Sequence, residues 1–210
     1  FKGYCLGKHF YRVIRWFQAM GTARRIYKNT LYLGAAEIVS KILQFVVMLY
    51  AARLLSQENF GKFSFALSLS LIAIVLADIG INNLLVREIT RNKKAVGIYS
   101  FNAFIMKACL SFFTFLFIYA VLSLLNYPQD TKIIVYIIWM FTILTTFTEL
   151  FYSIFRAFEM MFYDAFLKIL RMVLLTVSGL YVLLNGYGVF IFSFMFIFVE
   201  FIVVLFASVI

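Results

Sequence analysis

Three cations lie inside long apolar runs of this sequence, where a charge is costly unless it faces protein, water or a ligand. At a rise of about 1.5 Å per residue, Lys41, Lys107 and Arg171 each fall about 12 to 15 Å into their helices. Lys107 and Arg171 have no acid three or four residues away along the chain. Cations at one depth give charge-assisted hydrogen bonds to the oxygens of a phosphate or diphosphate. The spacing therefore predicts an anion-binding cavity within a membrane.

The remaining charges of the apolar runs form three groups around these cations. Lys168 lies one turn before Arg171 and extends the cationic patch. The acids are expected to pair with cavity cations or to bind H⁺ or Na⁺, and they are Glu37, Glu149, Glu200 and Asp78. The cations of the cytoplasmic rim are Arg87, Arg91 and Arg156.

A structural interpretation of the same charges stays open. Acids and bases would then pair and lock the helices together, as Glu37 can with Lys41 at a spacing of four residues. Long side chains near the interface would reach the headgroups; this applies to Glu149, Arg156, Asp164 and Lys168. For Arg87 and Arg91, contact with lipid headgroups is favoured over contact with an incoming diphosphate.

The composition requires membrane helices to carry these residues. The chain of 210 residues is 65% hydrophobic and 13% charged, whereas a soluble domain is about 45 to 50% apolar and about 25% charged. Long apolar runs predict helices, not the short alternating strands of a barrel. We predict spans at 31–54, 61–86, 98–125, 132–155, 163–184 and 187–209. The predicted fold is all-α, a polytopic integral membrane bundle of about six transmembrane helices.

Polar residues recur at helical spacing on three of these spans and should face a shared interior. The three stripes are Glu37, Lys41 and Gln44; Thr142, Thr145, Glu149, Tyr152 and Arg156; and Asp164, Lys168 and Arg171.

The distribution of Lys and Arg predicts the orientation, because positive residues are held on the cytoplasmic side. Residues 1–30 carry seven cations and no acid, and residues 87–94 carry four cations. The joints of the opposite side contain Arg53, Lys62 and Lys132. Both termini of this segment are therefore predicted to be cytoplasmic. Residues 1–28 are predicted to form a basic amphipathic segment on the inner leaflet, and residues 29–210 are predicted to form a transmembrane lobe.

Catalytic motifs are missing from the sequence. It contains one histidine and two widely separated cysteines, Cys5 and Cys109, and no glycine-rich phosphate loop. We therefore expect no enzyme activity, no cofactor, no metal site and no nucleic-acid partner. Transport is the default function.

Residues 29–94 resemble the opening of bacterial polysaccharide biosynthesis flippases of the multidrug/oligosaccharidyl-lipid/polysaccharide (MOP) exporter superfamily. The resemblance rests on the order and spacing of short motifs, namely Asn29-Thr30, Lys41, Ala52-Arg53-Leu54-Leu55, Phe60-Gly61, Phe65-Ala66, Asp78 with Gly80, and Arg87-Glu88-Ile89 with Arg91. It implies one MATE-like lobe, the N-terminal half of a transporter with two six-helix lobes around a central cavity. Within it, Asp78 is expected to pair with a basic residue at the inner rim.

The resemblance implies a flippase that moves a polyprenyl-diphosphate-linked oligosaccharide across the inner membrane by alternating access. Its partners would be this lipid-linked saccharide, the lipid bilayer and a coupling ion, H⁺ or Na⁺. Lys41, Lys107 and Arg171 would hold the diphosphate. Two alternatives stay open: a cation-coupled multidrug exporter of the same superfamily, and a non-transporting scaffold for polysaccharide enzymes.

Overall fold

Long helices make up the structure, a computed structural model that describes residues 22–209. Within this range, seven α-helices follow one another: α1 Thr22–Leu54, α2 Gln57–Asp78, α3 Ile81–Arg91, α4 Val96–Leu124, α5 Gln129–Ala157, α6 Met161–Leu184 and α7 Val189–Val209. A short 3₁₀ turn, Lys93–Ala95, joins α3 to α4, and the described residues include no strand. The amphipathic segment predicted at 1–28 lies mostly outside the described residues.

Six stretches are long and apolar enough to cross a membrane: Asn29–Leu54, Gln57–Arg91, Lys93–Leu124, Gln129–Ala157, Met161–Leu184 and Val189–Val209. Each overlaps one predicted span, so the predicted polytopic all-α bundle is confirmed. Local hydrogen bonds and backbone conformations set where the helices begin and end. The Ser56 side chain accepts a hydrogen bond from the Asn59 N–H and caps α2. Gly186, with a φ of 73°, closes α6 while the Tyr187 N–H donates to the Val182 carbonyl.

The second span differs from its predicted form, because it is interrupted and not one continuous helix. α2 ends at Asp78, and both Ile79 and Gly80 have left-handed backbone conformations, with φ values of 37° and 80°. α3 then begins at Ile81. A left-handed residue cannot continue a right-handed helix, so the chain changes direction between α2 and α3.

Helix α5 is the central element of the packing. It lies against α2, α3, α4, α6 and α7, whereas α1 packs mainly along α6. Between α2 and α7 the core contains the ring of Phe63, which lies 5.0 Å from that of Phe192 and 5.7 Å from that of Phe196. Tilted aromatic pairs at these distances are favourable beyond the area they bury.

Contacts between joints divide them between two ends of the bundle. At one end, the Asn29 side chain donates to the Glu159 carbonyl (3.4 Å), and the Lys93 ammonium lies 5.5 Å from the Phe158 ring. At the other end, Lys62 of α2 lies 3.9 Å from Asp130 of α5. The start of α1 and the α3–α4 and α5–α6 joints thus share one side, as the alternation of spans requires.

Candidate functional site

Polar side chains of α5 line the middle of the bundle. Several threonine hydroxyl groups of this helix donate to a carbonyl about one turn earlier. Thr142 donates to the Ile138 carbonyl (2.8 Å), and Thr148 donates to the Leu144 carbonyl (3.1 Å). Such bonds let a threonine stay in an apolar environment without leaving the helix. Glu149, Tyr152 and Arg156 continue this polar face. The predicted α5 stripe therefore does face the interior.

Lys107 of α4 is fully buried, with none of its side chain exposed. Its ammonium lies 3.0 Å from the Asp78 carboxylate and donates to the Thr146 carbonyl of α5 at 2.7 Å. The helix break places Asp78 at this position, since α2 ends there. Lys107 thus links α2, α4 and α5, and the expected pairing of Asp78 with a basic residue is found.

Arg171 of α6 and Glu200 of α7 form a second buried pair. The shortest distance between them, from Nη1 to Oε2, is 3.8 Å, and the other carboxylate oxygen accepts a hydrogen bond from Thr148 at 2.6 Å. Nε and Nη1 of Arg171 and Oε2 of Glu200 have no hydrogen-bond partner within the described part of the chain. Because buried charges normally satisfy these groups, the pair retains capacity for a further ligand.

Four charges form a chain between α5 and α6. Arg156 bonds Glu149 at 2.9 Å and lies 3.3 Å from Asp164, and Lys168 lies 3.3 Å from the other oxygen of Asp164. Asp164 is fully buried. Acids and bases thus pair between α5 and α6, as in the interpretation in which charges lock neighbouring helices. Asp164 is enclosed and does not reach the headgroup layer as expected.

Glu37 and Lys41 of α1 are exposed, with 58% and 69% of their side chains accessible, and lie 3.9 Å apart. Together with Gln44 they are not enclosed by the described helices, which differs from the predicted shared interior. The reason is the packing of α1, whose buried face consists of other residues: Ala36, Ser40, Val47 and Ala51. Glu37 is nevertheless close enough to Arg171 to interact electrostatically with it.

The rim cations have different environments. Arg87 and Arg91 are exposed on α3, whereas Arg156 belongs to the α5–α6 charge chain. Of the four cations predicted to bind substrate, Lys41 is exposed, Lys168 and Arg171 are partly accessible, and Lys107 is enclosed.

Two residues of the network were missed by sequence reasoning. Thr146 contributes its backbone carbonyl to Lys107, and Thr148 its hydroxyl to Glu200. A threonine inside a membrane helix can bond its own helix whether or not it has another partner, so nothing in the sequence distinguishes these two threonines from the others of α5.

In a comparison with known protein families, a family model matches residues 26–210. The matching family is described as polysaccharide biosynthesis protein. The chain belongs to this family. No curated protein and no solved structure gives a significant match.

Membership of the polysaccharide biosynthesis family agrees with the resemblance carried by residues 29–94. The family and the six apolar helices make the chain a multi-pass membrane protein of polysaccharide biosynthesis, and they fit a transporter role. The charged network is thus part of a membrane protein whose pathway handles sugar polymers.

Proposed function

We propose that this protein is a flippase that carries a polyprenyl-diphosphate-linked oligosaccharide across the cytoplasmic membrane by alternating access. The observation that supports it most is the set of cations at and near the surface shared by α1 and α6, in a chain of the polysaccharide biosynthesis family. A sugar head is strongly polar and cannot cross hydrocarbon unaided, so a protein path is needed.

The diphosphate would first meet the accessible cations. Lys41 is the most exposed of them. Arg171 is 14% exposed, and its Nε and Nη1 atoms are buried without a hydrogen-bond partner within the described chain, so they would reach the diphosphate only after the side chains around them move. Lys168, with 20% of its side chain exposed, adds a third positive charge. A role for Lys107 in binding would require it to leave Asp78, so its contact with substrate belongs to a later step of the cycle.

The acids supply a means of coupling. A diphosphate that binds Arg171 competes with Glu200 for the same guanidinium, because both are anions. Glu200 would then be left without its cation in a buried position, which favours uptake of H⁺ or Na⁺. Binding of substrate and of the coupling ion become linked through this exchange, and Glu37, Glu149 and Asp78 can take part through their own cations.

Complementation tests the proposal in cells that lack the full-length protein. Lys41→Ala and Arg171→Ala should each lower export about tenfold to a hundredfold, since each removes a charge-assisted hydrogen bond of about 1.5 to 3 kcal/mol. The readout is polyprenyl-diphosphate-linked saccharide retained on the cytoplasmic leaflet, together with surface polysaccharide. Arg53→Ala is the matched control, because Arg53 is another exposed cation of α1, in its last turn.

The same assay separates the alternatives. Wild-type export by both variants would rule out the cation site. Unchanged lipid-linked saccharide together with altered sensitivity to cationic drugs would indicate a multidrug exporter. If apolar replacements of all three cations leave surface polysaccharide intact, the scaffold explanation holds. Glu200→Gln should still bind the lipid-linked saccharide, but its export should no longer respond to the ion gradient.

A further inference from the structure

A cavity of about 320 Å³ lies between α3 and α4. This volume is within the usual range of ligand-binding pockets. Its lining consists of Ile81, Leu84, Leu85 and Glu88 from α3, and of Tyr99, Asn102, Ala103 and Met106 from α4.

Polarity changes along the cavity from one end to the other. The polar residues Glu88, Tyr99 and Asn102 are those closest to the α3–α4 joint in both helices. The apolar lining extends away from the joint toward Ile81 and Met106. A ligand that fits this arrangement has a polar head at the joint and an apolar body farther in.

The position of the cavity relative to the membrane fits such a ligand. A hydrocarbon core of about 30 Å takes about 20 helical residues. Counted from Gly61 near the start of α2, the core ends close to Ile81. The apolar end of the cavity therefore lies at the edge of the hydrocarbon, and Glu88, Tyr99 and Asn102 lie in the headgroup layer.

The mouth of the cavity is positively charged. Arg87, Arg91 and Lys94 are exposed around the joint, and Glu88 is the acid among them. Arg91 lies near the cavity-lining side of α3, because it follows Glu88 by three residues. The charge thus complements an anionic head, while Glu88 and Asn102 can accept hydrogen bonds from its hydroxyl groups.

The cavity is separate from Lys41 and Arg171, the cations that the diphosphate is proposed to meet first. Its two helices pack against α2 and α5, whereas Lys41 and Arg171 belong to α1 and α6, which pack along each other. The α4 surface beside the cavity is apolar and exposed at Phe101, Phe104 and Ile105. The cavity therefore opens toward the bilayer, where phospholipid is the abundant amphiphile.

We propose that this cavity binds an anionic phospholipid of the bilayer. The glycerol region and the first part of an acyl chain occupy the cavity. Arg91 and Lys94 bind the phosphate, and Glu88 and Asn102 accept hydrogen bonds from headgroup hydroxyls. This lipid stays bound to α3 and α4 and is distinct from the transported lipid.

Lipid retention by the full-length protein tests this site. The protein is reconstituted in vesicles of equal parts phosphatidylglycerol and phosphatidylcholine and extracted with mild detergent, and its bound lipids are identified by native mass spectrometry. The wild-type protein should retain phosphatidylglycerol preferentially. Arg91→Ala with Lys94→Ala should lower that preference roughly 10- to 30-fold. Leu84→Trp, at a half-exposed position of the lining, should fill the cavity and lower retention of both lipids.

The control variant combines Arg53→Ala with Lys132→Ala, which removes the same charge from the end of the bundle opposite the α3–α4 joint. It should keep the wild-type lipid ratio. Three results would overturn the proposal: a wild-type ratio in the Arg91/Lys94 variant, an equal loss in the control, or displacement of phosphatidylglycerol from the cavity by polyprenyl diphosphate. Circular dichroism verifies the fold, and the Arg91/Lys94 variant changes only exposed side chains, so the test does not depend on the tryptophan variant.

Discussion

At the scale of single residues, Lys107 is the most constrained charge in the protein. It is completely buried, and its ammonium has one anionic partner, Asp78, and one carbonyl partner, that of Thr146. A buried pair contributes little net stability relative to an apolar replacement, but removing one partner leaves a charge without compensation. The pair therefore fixes the positions of α2, α4 and α5 relative to one another.

Neutralising one member of this pair should be more harmful than neutralising both. Asp78→Asn is expected to lower the free energy of unfolding by about 3 to 5 kcal/mol, whereas Asp78→Asn combined with Lys107→Met should recover most of that loss. Thermal unfolding of the purified protein in detergent measures the difference. Glu58→Gln is the control, since it removes the partner of the surface residue Lys62 and should change little. A double variant as unstable as the single one would refute a pairing role.

Neither Lys107 nor Arg171 has an acid on its own helix at pairing distance, so the sequence predicted that each needs either a partner across the bundle or an anionic ligand. It did not predict which acid each would meet. That choice depends on which helices are neighbours, and helical periodicity describes one helix at a time. Asp78 is the partner of Lys107 because α2 lies beside α4, and Glu200 is the partner of Arg171 because α7 lies beside α6.

At the scale of elements, the break between α2 and α3 positions the Asp78–Lys107 pair and the α3–α4 cavity. It places Asp78 beside Lys107, and it lets α3 diverge from the line of α2 and form the cavity with α4. Hydropathy alone predicted one span at 61–86, since the apolar run contains no proline and a glycine is tolerated in membrane helices. Gly80 is compatible with close helix contact as well as with a turn, so its presence alone does not predict the break.

The two residues of the break should respond oppositely to substitution. Ile79 is a β-branched residue with a φ of 37° and is 69% exposed, so Ile79→Gly removes backbone strain at little loss of packing. It should raise the free energy of unfolding by about 1 kcal/mol. Gly80→Ala introduces a side chain at a φ of 80° and should lower that free energy by about 1 kcal/mol. Unfolding midpoints of both proteins measure the effect.

Gly34→Ala is the control for these two variants, because Gly34 lies inside α1 with open space around it. It should stabilise the protein slightly through helix propensity. If Gly80→Ala were to stabilise it equally, Gly80 would have no need for a left-handed conformation, and the break would not be built into the sequence.

At the scale of the whole molecule, α5 divides two surfaces with different chemistry. On the side of α6 and α1 lie the Arg171–Glu200 pair and the exposed Lys41. On the side of α3 and α4 lie the Lys107–Asp78 pair and the amphipathic cavity. The number of spans and their order were predictable, because hydropathy reports the length of each apolar run. The division of the charges and the cavity between the two sides was not predictable from the sequence, because it depends on which faces of α5 the other helices cover.

Orientation in the membrane is the prediction that belongs to this scale. The structure groups the start of α1 with the α3–α4 and α5–α6 joints, and the excess of Lys and Arg in residues 1–30 and 87–94 predicts that this end is cytoplasmic. In a parent with both cysteines replaced by serine, Asn92→Cys should react with a membrane-impermeant maleimide only after the membrane is opened. Ser56→Cys, at the opposite end, should react in intact spheroplasts, and Ala73→Cys, buried in the middle of α2, should react in neither state. The reverse labelling pattern for Asn92→Cys and Ser56→Cys would show that the topology is the opposite of the predicted one. The basic mouth of the lipid cavity would then face the outer leaflet, and Lys41 and Arg171 would no longer be approached by substrate along the cytoplasmic path proposed here.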